Sequence, residues 1–595
     1  MIKVSDVIAE FLKYKQIDTV FGIIGSANSH IFDSIQNLGY TKIICTHHEQ
    51  AAIMSMAAYY RASGRLSAAI VTAGAGASNA ITGVISNWAD SIPGIIISGQ
   101  EPVRYLSQHK DLRMFGTQGF SSYEMVKNVT KYSNVLLDGN NIHDEIETHY
   151  NISITGRPGP TWLEIPLDIQ AQKVESKNFK NTSNKSLRIT DAYNYANDII
   201  HLINNSKRPV ILGGMGVKLS GAKDKFKQFV NQTNIPTMLS WSGIDLLPTN
   251  HKSNFGRFGL YGQRAANFII QNSDLVIVLG SRMALPQVGY DFSQFARNAT
   301  IVQVDIDESE LNKYDRVLKY YHDVNIVLDK ILEKISSINP NINQWVDKCN
   351  HYKTKYPIID DNYKNDKYIN SYSFVNKLTQ KLGDDEIIVT DMGTGLLSGH
   401  QASNLKENQI LFTSQGLGEM GVGLPYAIGA SFAAPNKPIT CLNCDGGIMM
   451  NLQELQTIVQ HNLPVKIFIF NNDGYLMIKH TQKLFFQGRY NAVDKNTGVV
   501  LPEFERIAYG FNIPYCKIDK LKDLDTIEFK TDGPSIIEVF MDPEQDFIPK
   551  VKGVILEDDS IFAPPLEEMS PLLPFDVIKE EMIISVSEKS QQIKR

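Results

Sequence analysis

The fold is decided by ITCLNCDGG at residues 439–447 and VKIFIFNNDG at residues 465–474. Each stretch is an apolar run of strand length that ends in Asp or Asn followed by glycine. Near-continuous apolar runs are typical of strands that are buried on both faces of a parallel sheet. Polar groups at the carboxyl ends of such strands lie where open α/β sheets bind ligands. The two stretches therefore predict an α/β domain with a ligand site at the strand ends.

The same pattern of short apolar runs and glycine-rich turns extends through three blocks of the chain. Strands that alternate with helical segments indicate parallel sheets wrapped by helices. Further strands are predicted at residues 20–24, 68–71, 94–98, 209–212, 275–279, 301–306 and 387–389. The predicted fold class is thus α/β, with three doubly wound parallel-sheet domains and a C-terminal tail.

The predicted domains span residues 1–170, 190–335 and 370–545. Polar stretches at residues 170–186 and 339–368 are predicted to be linkers. Residues 546–595 mix prolines with acidic and apolar residues, which predicts an extended tail with little independent structure. Such a tail could cover a site as a lid or run along the surface as a strap.

The composition is that of a globular protein. Of 595 residues, 43% are hydrophobic and 21% charged, which excludes long disorder, collagen-like repeats and a disulfide-stapled scaffold. The net charge of −6 gives no broad basic surface for nucleic acid. The five scattered cysteines indicate reduced thiols of a cytosolic protein. Cys441 and Cys444 have CxxC spacing, but there is no second pair to complete a zinc site.

The sequence contains no feature that predicts membrane insertion or export. Residues 1–6 are polar and acidic, unlike a signal peptide. No apolar run approaches the ~18 residues of a transmembrane helix. We therefore expect a cytoplasmic protein with no membrane partner.

Asp445, Asn472 and Gly474 form a candidate magnesium site. A carboxylate, an amide oxygen and a backbone carbonyl suit Mg²⁺, which bridges phosphates. Gly446 and Gly447 would let the backbone approach a diphosphate at the start of the following helix. Taken separately, Asp445 could instead cap a helix and the asparagine pair could form a turn.

Asp445 and Asn472 are 27 positions apart, a spacing that resembles the thiamine diphosphate (ThDP) binding motif. That motif reads Gly-Asp-Gly and ends in Asn-Asn; here Cys444 replaces the first glycine. The chain also resembles the acetohydroxyacid synthase (acetolactate synthase) family, in order from about residue 4 to residue 545. The motifs that carry this resemblance are GLGEMGVGLP at 416–425, DSIP at 90–93, GRPGP at 156–160 and VDID at 304–307.

The resemblance implies an N-terminal domain that binds the pyrimidine ring, an FAD-type middle domain and a C-terminal domain for diphosphate and Mg²⁺. His48-Glu49-Gln50 matches the motif of the catalytic glutamate that activates ThDP. Without the resemblance, Glu49 could be a carboxylate that stabilises a helix N-terminus. Met420 matches the residue that supports the bent cofactor, although methionine also fills gaps in cores. The other implied cofactor-binding residues are Thr72, Asn79, Met392, Gly393, Thr394, Gly446, Gly447, Asn472, Tyr475, Leu476 and Met477.

Two further sets of residues follow from the resemblance. FAD would be bound by Gly213, Gly214, Gly280, Arg282 and Asp305, although relatives with the same domain have lost the flavin. The implied substrate-binding residues are Gly25, Ser26, Gln118, Phe120, Ser121 and Thr481.

Four residues depart from the usual residues of acetolactate synthases: Ser121, Ser122, Thr394 and Thr481. The departures indicate an acceptor other than pyruvate or 2-oxobutyrate. Residues 261–267, 474–475, 481–482 and 485–486 resemble a subgroup that adds an acetyl unit from pyruvate to a nucleotide-linked keto-deoxysugar.

The resemblance thus predicts a ThDP-dependent carboligase that decarboxylates pyruvate and transfers the two-carbon acetyl unit to a carbonyl acceptor. One alternative is a simple 2-oxo acid decarboxylase, but the histidine pair of that class is missing near Arg113. Another is a ThDP-fold binding protein that has lost catalysis. The family also implies a homodimer or homotetramer with active sites at the subunit interface.

Overall fold

The computed structural model describes residues 1–106, 112–114, 116–179, 189–359, 367–528 and 532–595. The chain forms two compact units. The first unit comprises Met1–Lys185, Asp385–Leu396 and Ile410–Pro543, and the second comprises Ser186–Asp384, Leu397–Gln409 and Glu544–Arg595. Residues 180–186 and 360–366 of the two predicted linkers lie outside the described ranges.

The first sheet belongs to the first unit and is built from residues near the N-terminus. The strands are β1 (Ile2–Lys3), β2 (Thr19–Gly22), β3 (Lys42–Cys45), β4 (Ala68–Val71), β5 (Gly94–Gln100), β6 (Tyr132–Val135), β7 (Pro160–Pro166) and β8 (Lys173–Val174). Six of them form a parallel sheet in the order β3-β2-β4-β5-β7-β6, while β1 and β8 pair separately. The helices are α1 (Val4–Tyr14), α2 (Ser29–Leu38), α3 (Glu49–Ser63), α4 (Ala75–Asn79), α5 (Ile81–Ala89), α6 (Ser122–Met125), α7 (Ile142–Ile154) and α8 (Leu167–Ala171).

The second sheet belongs to the second unit and has five parallel strands. They are β9 (Pro209–Gly213), β10 (Thr237–Leu239), β11 (Leu275–Leu279), β12 (Thr300–Asp305) and β13 (Val317–Tyr321), in the order β10-β9-β11-β12-β13. The helices are α9 (Ile189–Asn205), α10 (Met215–Leu219), α11 (Lys223–Thr233), α12 (Arg264–Asn272), α13 (Leu285–Val288), α14 (Glu308–Leu311), α15 (Val324–Leu332) and α16 (Asn343–Lys355).

The third sheet returns to the first unit. Its parallel strands are β14 (Ile387–Thr390), β15 (Ile410–Phe412), β16 (Ile439–Cys444), β17 (Val465–Asn471), β18 (Tyr515–Ile518) and β19 (Ser535–Phe540), in the order β15-β14-β16-β17-β19-β18. The helices of this block in the first unit are α19 (Gly423–Ala433), α20 (Asp445–Ile448), α21 (Glu454–Gln460), α22 (Leu476–Phe486) and α23 (Phe504–Gly510). Of the two helices that come before them in the block, α17 (Ser371–Lys381) belongs to the second unit, and α18 (Thr394–Ala402) begins in the first unit and ends in the second. The predicted fold class of three parallel-sheet α/β domains is confirmed.

Helix α3 packs against α19 inside the first unit, and this contact joins the first and third sheets. Eleven of the fifteen residues of α3 are buried, as expected for a helix whose sequence has no clear polar face. The Ser55 hydroxyl donates to the backbone oxygen of Pro425 at 2.9 Å. Helix α19 is equally buried, so the two helices form the centre of the unit. The packing of these two helices therefore also fixes the position of the residues just before each of them.

The prediction of a linker over residues 339–368 is wrong for α16. Trp345, Cys349 and Tyr352 lie on one face of this helix and are buried in the core of the second unit. The Trp345 indole donates to the backbone oxygen of Pro209 at 3.1 Å. Three apolar residues at helical spacing are enough to bury one face, even in a stretch that is polar on average.

The tail is mostly extended, but it is anchored in the second unit. It contains β20 (Val554–Ile555), β21 (Ile561–Phe562) and α24 (Phe575–Glu581). Leu566, Met569 and Ile578 are buried in the core of the second unit. The tail thus has little structure of its own and takes its stability from packing on that core. Among the described residues, no helix is long and apolar enough to cross a membrane.

Candidate active site

Three strand ends meet at one edge of the third sheet. Strands β14, β16 and β17 are neighbours and run parallel. Their carboxyl ends lead into residues 391–394, 445–447 and 472–474. Because β16 and β17 stay in register up to Cys444 opposite Phe470, the polar residues that follow emerge side by side. This is the edge at which open α/β sheets bind ligands.

Asp445 lies at the centre of a tight polar turn. One carboxylate oxygen accepts the backbone N–H groups of Asn472 at 3.0 Å and Gly474 at 3.1 Å. The other accepts that of Gly446 at 2.7 Å. Burial raises the pKa of Asp445 to about 6, although these backbone hydrogen bonds oppose the rise. A divalent cation at this position would favour the charged carboxylate.

The Asn472 side chain completes the predicted set of three metal ligands. One polar atom of its amide lies 2.9 Å from the Gly474 oxygen and 3.2 Å from Asp445 Oδ2. The other lies 2.9 Å from the Thr394 hydroxyl. With the amide oxygen turned inward, three oxygens converge; with the nitrogen turned inward, the amide donates to both neighbours. Converging carboxylate, amide and carbonyl oxygens fit the ligand preference of Mg²⁺.

No group of three or more His, Cys, Asp and Glu side chains in the described ranges could hold a metal ion. Cys441 and Cys444 are buried free thiols. The Cys444 sulfur accepts the backbone N–H of Gly395 at 3.2 Å, so it helps to pack the turn that follows β14.

Gly446 and Gly447 are packed too closely to carry side chains. A Cβ added at Gly446 would lie 2.2 Å from the ring of Tyr475, and one at Gly447 would lie 1.8 Å from Asp391 Oδ2. Leu476 and Met477 continue from Tyr475 into the first turn of α22. The two glycines thus make room for side chains of this chain, and their approach to a diphosphate stays a prediction.

Met392 and Met420 belong to neighbouring turns at the same edge. The Met392 methyl group packs against Gly418, which lies in the loop that carries Met420. The turn after Met392 continues through Gly393, whose φ of 98° favours glycine. Met420 is 37% exposed, so it does not fill a gap in the core of this chain.

Asp391 is a buried residue that the predicted site does not include. Its Oδ1 atom accepts the backbone N–H groups of Gly421 at 2.8 Å and Val422 at 3.1 Å. Its Oδ2 atom is buried without a hydrogen-bond partner. Burial raises the pKa of Asp391 to about 7. Its position directly after a buried strand is the same sequence signal that marked Asp445.

A second group of predicted residues lies at the carboxyl edge of the first sheet. Glu49 begins α3 after β3 and is buried, and its Oε2 atom accepts from the Asn79 amide at 3.0 Å. Gly76 lies against the other carboxylate oxygen. Thr72 follows β4 and packs against Gly76 and Gly25. The structure thus brings Glu49, Thr72 and Asn79 together, with the glutamate oriented by an amide.

The predicted substrate residues lie in two places, most of them beside the first sheet and one on α22, which follows the third-sheet strand β17. Gly25 and Ser26 form the turn after β2, and the Gln118 side chain packs against Gly74 at the first sheet. The Phe120 backbone oxygen accepts from Gln100 at 2.9 Å, and Ser121 is exposed just before α6. Thr481 is exposed on α22, and its hydroxyl donates to the Met477 backbone oxygen at 3.2 Å.

Three family models match the chain in the order of its sheets. They describe the N-terminal TPP binding domain, the central domain and the C-terminal TPP binding domain of thiamine pyrophosphate enzymes, at residues 2–121, 196–331 and 391–539. The acetolactate synthase isozyme 1 large subunit of Escherichia coli is 30% identical over 556 residues, which cover 92% of this chain and 95% of that protein. The chain belongs to the ThDP-dependent acetolactate synthase-like family.

Other members of the family align over similar lengths. The acetolactate synthase large subunit of Lactococcus lactis is 29% identical over 564 residues, or 94% of this chain and 96% of that protein. Acetolactate synthase 1, chloroplastic, from Zea mays is 29% identical over 586 residues, or 94% of this chain and 89% of that protein. The protein is therefore a ThDP-dependent enzyme, a carboligase of the acetolactate synthase-like family.

The residues predicted to bind FAD lie in the domain that matches the family's central domain. Gly213 and Gly214 follow β9, and Gly280 follows the neighbouring strand β11. The two turns pack closely together. The Gly214 backbone N–H donates to the Leu279 backbone oxygen, and a Cβ added at Gly214 would lie 2.2 Å from the Gly280 backbone oxygen. Arg282 is exposed, and Asp305 ends β12 at the same edge. Turn packing alone accounts for these glycines, so they give FAD no support beyond the resemblance.

Proposed function

We propose that this acetolactate synthase-like enzyme uses ThDP and Mg²⁺ to decarboxylate pyruvate and transfer its acetyl unit to a carbonyl acceptor. The bond between the carboxylate and carbonyl carbons of pyruvate breaks and releases CO₂. A new carbon–carbon bond forms at the carbonyl carbon of the acceptor, whose oxygen takes up a proton. The observation that carries the proposal is the convergence of Asp445, Asn472 and Gly474 at the edge of the third sheet.

The residues of the chain have distinct roles in this proposal. Asp445, Asn472 and Gly474 would hold Mg²⁺, while residues 392–394, 446–447 and 475–477 would hold the diphosphate. When bound, ThDP supplies the carbon nucleophile. Glu49 would hold a proton at its carboxyl group and bond the aminopyrimidine ring, kept in place by its hydrogen bond from Asn79.

Product analysis tests the reaction. With ThDP, Mg²⁺ and pyruvate, the enzyme should consume pyruvate and release CO₂, and a chelator should stop both. A product that contains a new carbon–carbon bond supports the carboligase. Acetaldehyde as the sole product would instead identify a simple decarboxylase, and no pyruvate consumption in the presence of any acceptor would reject pyruvate as the donor.

The proposed acceptor is a nucleotide-linked keto-deoxysugar. This finer proposal rests on Thr481, a small exposed residue on α22 where many family members have Trp or Gln. The relatives above are acetolactate synthases and give it no support. Incubation with pyruvate, with and without a CDP-linked 4-keto sugar, should give a branched sugar only when the sugar is present. Equal pyruvate consumption with acetolactate as the only product would reject the proposal.

FAD is proposed as a third cofactor, at the edge of the second sheet formed by Gly213, Gly214, Gly280, Arg282 and Asp305. The support is the resemblance of these positions to the flavin-binding loops of the family. The purified enzyme should be yellow and should release flavin when it is denatured. A colourless protein that does not bind added FAD would reject this cofactor.

We also propose a homodimer or homotetramer whose active sites lie at the subunit interface, in the cytoplasm. Closed symmetry is usual for soluble oligomers, and the five free cysteines suit a reducing compartment. Light scattering of the purified enzyme and cell fractionation test the two statements separately.

A further inference from the structure

Buried carboxylates accept hydrogen bonds from both ends of the loop that carries Met420. We define the Met420 loop as residues 414–422, between β15 and α19. At its first end, Asp90 accepts the backbone N–H groups of Gln415 at 3.0 Å and Gly416 at 2.7 Å. At its last end, Asp391 accepts those of Gly421 and Val422. Each carboxylate therefore binds two successive backbone N–H groups of the loop.

The two carboxylates come from different sheets of the first unit. Asp90 follows α5 beside the first sheet, while Asp391 follows β14 in the third sheet. Arg61 of α3 donates to Asp90 at 3.0 Å and also to the Thr413 backbone oxygen at 2.6 Å, just before the loop. The side chains of Asp90 and Arg61 are almost completely buried. The first anchor is thus a charge-balanced pair that ties the loop to the same helix that begins at Glu49.

The backbone of the loop does not hold this shape by itself. Gly418 and Gly421 have φ values of 70° and 86°, a region that glycine enters freely and leaves as freely. Between the two anchors, Leu417 and Met420 are exposed, so few packing contacts fix them. Asn451 donates to the Gly421 oxygen at 2.8 Å, and the Ser414 hydroxyl bonds Ser86 and Glu419. Beside these bonds, Asp90 and Asp391 each hold two successive backbone N–H groups, one pair at each end of the loop.

We propose that Asp90 and Asp391 are positioning residues, which hold the Met420 loop and thereby set where the Met420 side chain stands. This inference rests on the proposed function, in which Met420 supports the bound cofactor. Neither carboxylate is proposed to touch the substrate or the cofactor. Their effect on turnover passes through Met420, which separates them from residues that only stabilise the fold.

The two carboxylates differ in how they should respond to the change from Asp to Asn. Both oxygens of Asp90 accept hydrogen bonds, so Asp90→Asn places an amide N–H against a backbone or guanidinium N–H. Only Oδ1 of Asp391 accepts from the loop, so Asp391→Asn keeps both bonds and Asp391→Ala removes them. The expected order of effects is therefore strong for Asp90→Asn and Asp391→Ala and weak for Asp391→Asn.

Glu386 provides a matched control. It is a buried carboxylate of the same unit that pairs with Lys466 and Thr440 and has no contact with the loop. Glu386→Gln removes a buried charge without touching either anchor. A general loss of packing in the first unit would therefore appear in this variant as well.

The first measurement is hydrogen exchange in the cofactor-free chain, in peptides that cover the Met420 loop. We expect at least tenfold faster exchange of these amides in Asp90→Asn and Asp391→Ala, and no change in Asp391→Asn or Glu386→Gln. Unchanged loop exchange in Asp90→Asn would overturn the proposal. If Asp391→Ala does not fold, Asp90→Asn still decides, because it preserves side-chain volume.

The second measurement is turnover of the holoenzyme, with ThDP affinity measured in parallel. We expect Asp90→Asn to lower kcat at least tenfold while ThDP affinity changes less than threefold. In a Met420→Ala background, Asp90→Asn should have no further effect on kcat, because residues that act through one another are non-additive. Additive losses would show that Asp90 does not act through Met420. A wild-type protein that binds no ThDP would reject the proposed function, while the exchange result would still decide whether the carboxylates hold the loop.

Discussion

The position of Glu49 at the start of a buried helix allows both a structural and a catalytic role. It begins a buried helix, where a carboxylate is favoured by the helix dipole, and it also accepts a hydrogen bond from Asn79. Glu49→Gln keeps the shape and the bond but removes the acid. We expect ThDP to bind with similar affinity and turnover to fall by about 10²- to 10⁴-fold, the usual contribution of acid–base catalysis. A ThDP titration measures the affinity, and the rate of pyruvate consumption measures the turnover.

The control for Glu49 is Glu505→Gln, which changes an exposed glutamate in the first turn of α23. A role of Glu49 limited to the helix dipole predicts that the two variants differ only in stability. Near-normal turnover in Glu49→Gln would contradict the catalytic role.

Asp445 is the residue whose removal should separate metal binding from folding. Asp445→Ala takes away one proposed Mg²⁺ ligand and the acceptor of three backbone N–H groups. Changes even in residues behind the ligands cost about 10- to 100-fold in metal affinity, so we expect a loss of about 100-fold or more for Mg²⁺ and ThDP together. Calorimetric titration measures both affinities.

The matched control for Asp445 is Asp473→Asn, in the same turn. Asp473 is exposed and pairs only loosely with Lys495 at 3.7 Å. This variant should bind Mg²⁺ and ThDP nearly as well as the wild type. Equal losses in both variants would mean that the turn attracts Mg²⁺ by its overall negative charge rather than through Asp445.

At the scale of elements, α16 and α24 are joined by one buried carboxylate. Glu581 accepts hydrogen bonds from Lys348 at 2.9 Å and Lys355 at 2.6 Å. Burial by itself would raise the pKa of Glu581, but these two lysines hold it below its ordinary value. Because both lysines reach solvent, we expect Glu581→Gln to cost about 1–2 kcal/mol locally, below the range for fully buried pairs.

The lowered pKa of Glu581 gives this contribution a pH dependence. A carboxyl group with a depressed pKa in the folded state stabilises above its unfolded pKa of about 4.3, and the effect is lost as the pH falls through the folded value. Hydrogen exchange in α16 should therefore be slower in the wild type than in Glu581→Gln at pH 7, and the difference should vanish in acid. Glu333→Gln, an exposed partner of Lys330, should change little at any pH. A wild-type advantage that persists in acid would contradict the ion-pair explanation.

The elements also show which patterns the sequence carries and which it does not. Strands β11 and β16 match their predicted bounds, because an apolar run buried on both faces has sharp polar ends. Helix α16 was missed because its average polarity hides three apolar residues on one face. Asp445 and Asn472 are predicted from their spacing, whereas the hydrogen bond of Asp90 to the Met420 loop joins residues 326 positions apart, which no local pattern reveals. The bond of Asp391 to Gly421 spans only 30 positions, but it too depends on the folded path of the loop.

At the scale of the whole molecule, three blocks in the sequence form two compact units, and the first and third sheets share one of them. Sequence order predicts each sheet, since a parallel sheet is assembled from neighbouring strands and their crossover helices. It does not predict which sheets associate, because that depends on buried faces such as those of α3 and α19. The proposed assembly raises a further question of this kind. Each active site could combine Glu49 and Asp445 of the same chain, or Glu49 of one chain with Asp445 of another.

Active sites at a subunit interface predict complementation between two inactive variants. If Glu49 of one chain acts with Asp445 of another, a mixed dimer of Glu49→Gln and Asp445→Ala contains one site with both residues intact. Random pairing of equal amounts then leaves about a quarter of all sites functional. Co-expressed variants should therefore recover about that fraction of wild-type turnover, although each is nearly inactive alone.

The control for complementation pairs Glu49→Gln with Glu49→Ala, because no arrangement of these chains gives an intact glutamate. Recovery in the first mixture and none in the second would support shared sites. If the first mixture is no more active than its separate components, while light scattering shows that mixed dimers form, Glu49 and Asp445 of the same chain serve each site. The packing of α3 against α19 within one chain would then place the residues that bind the two ends of the cofactor.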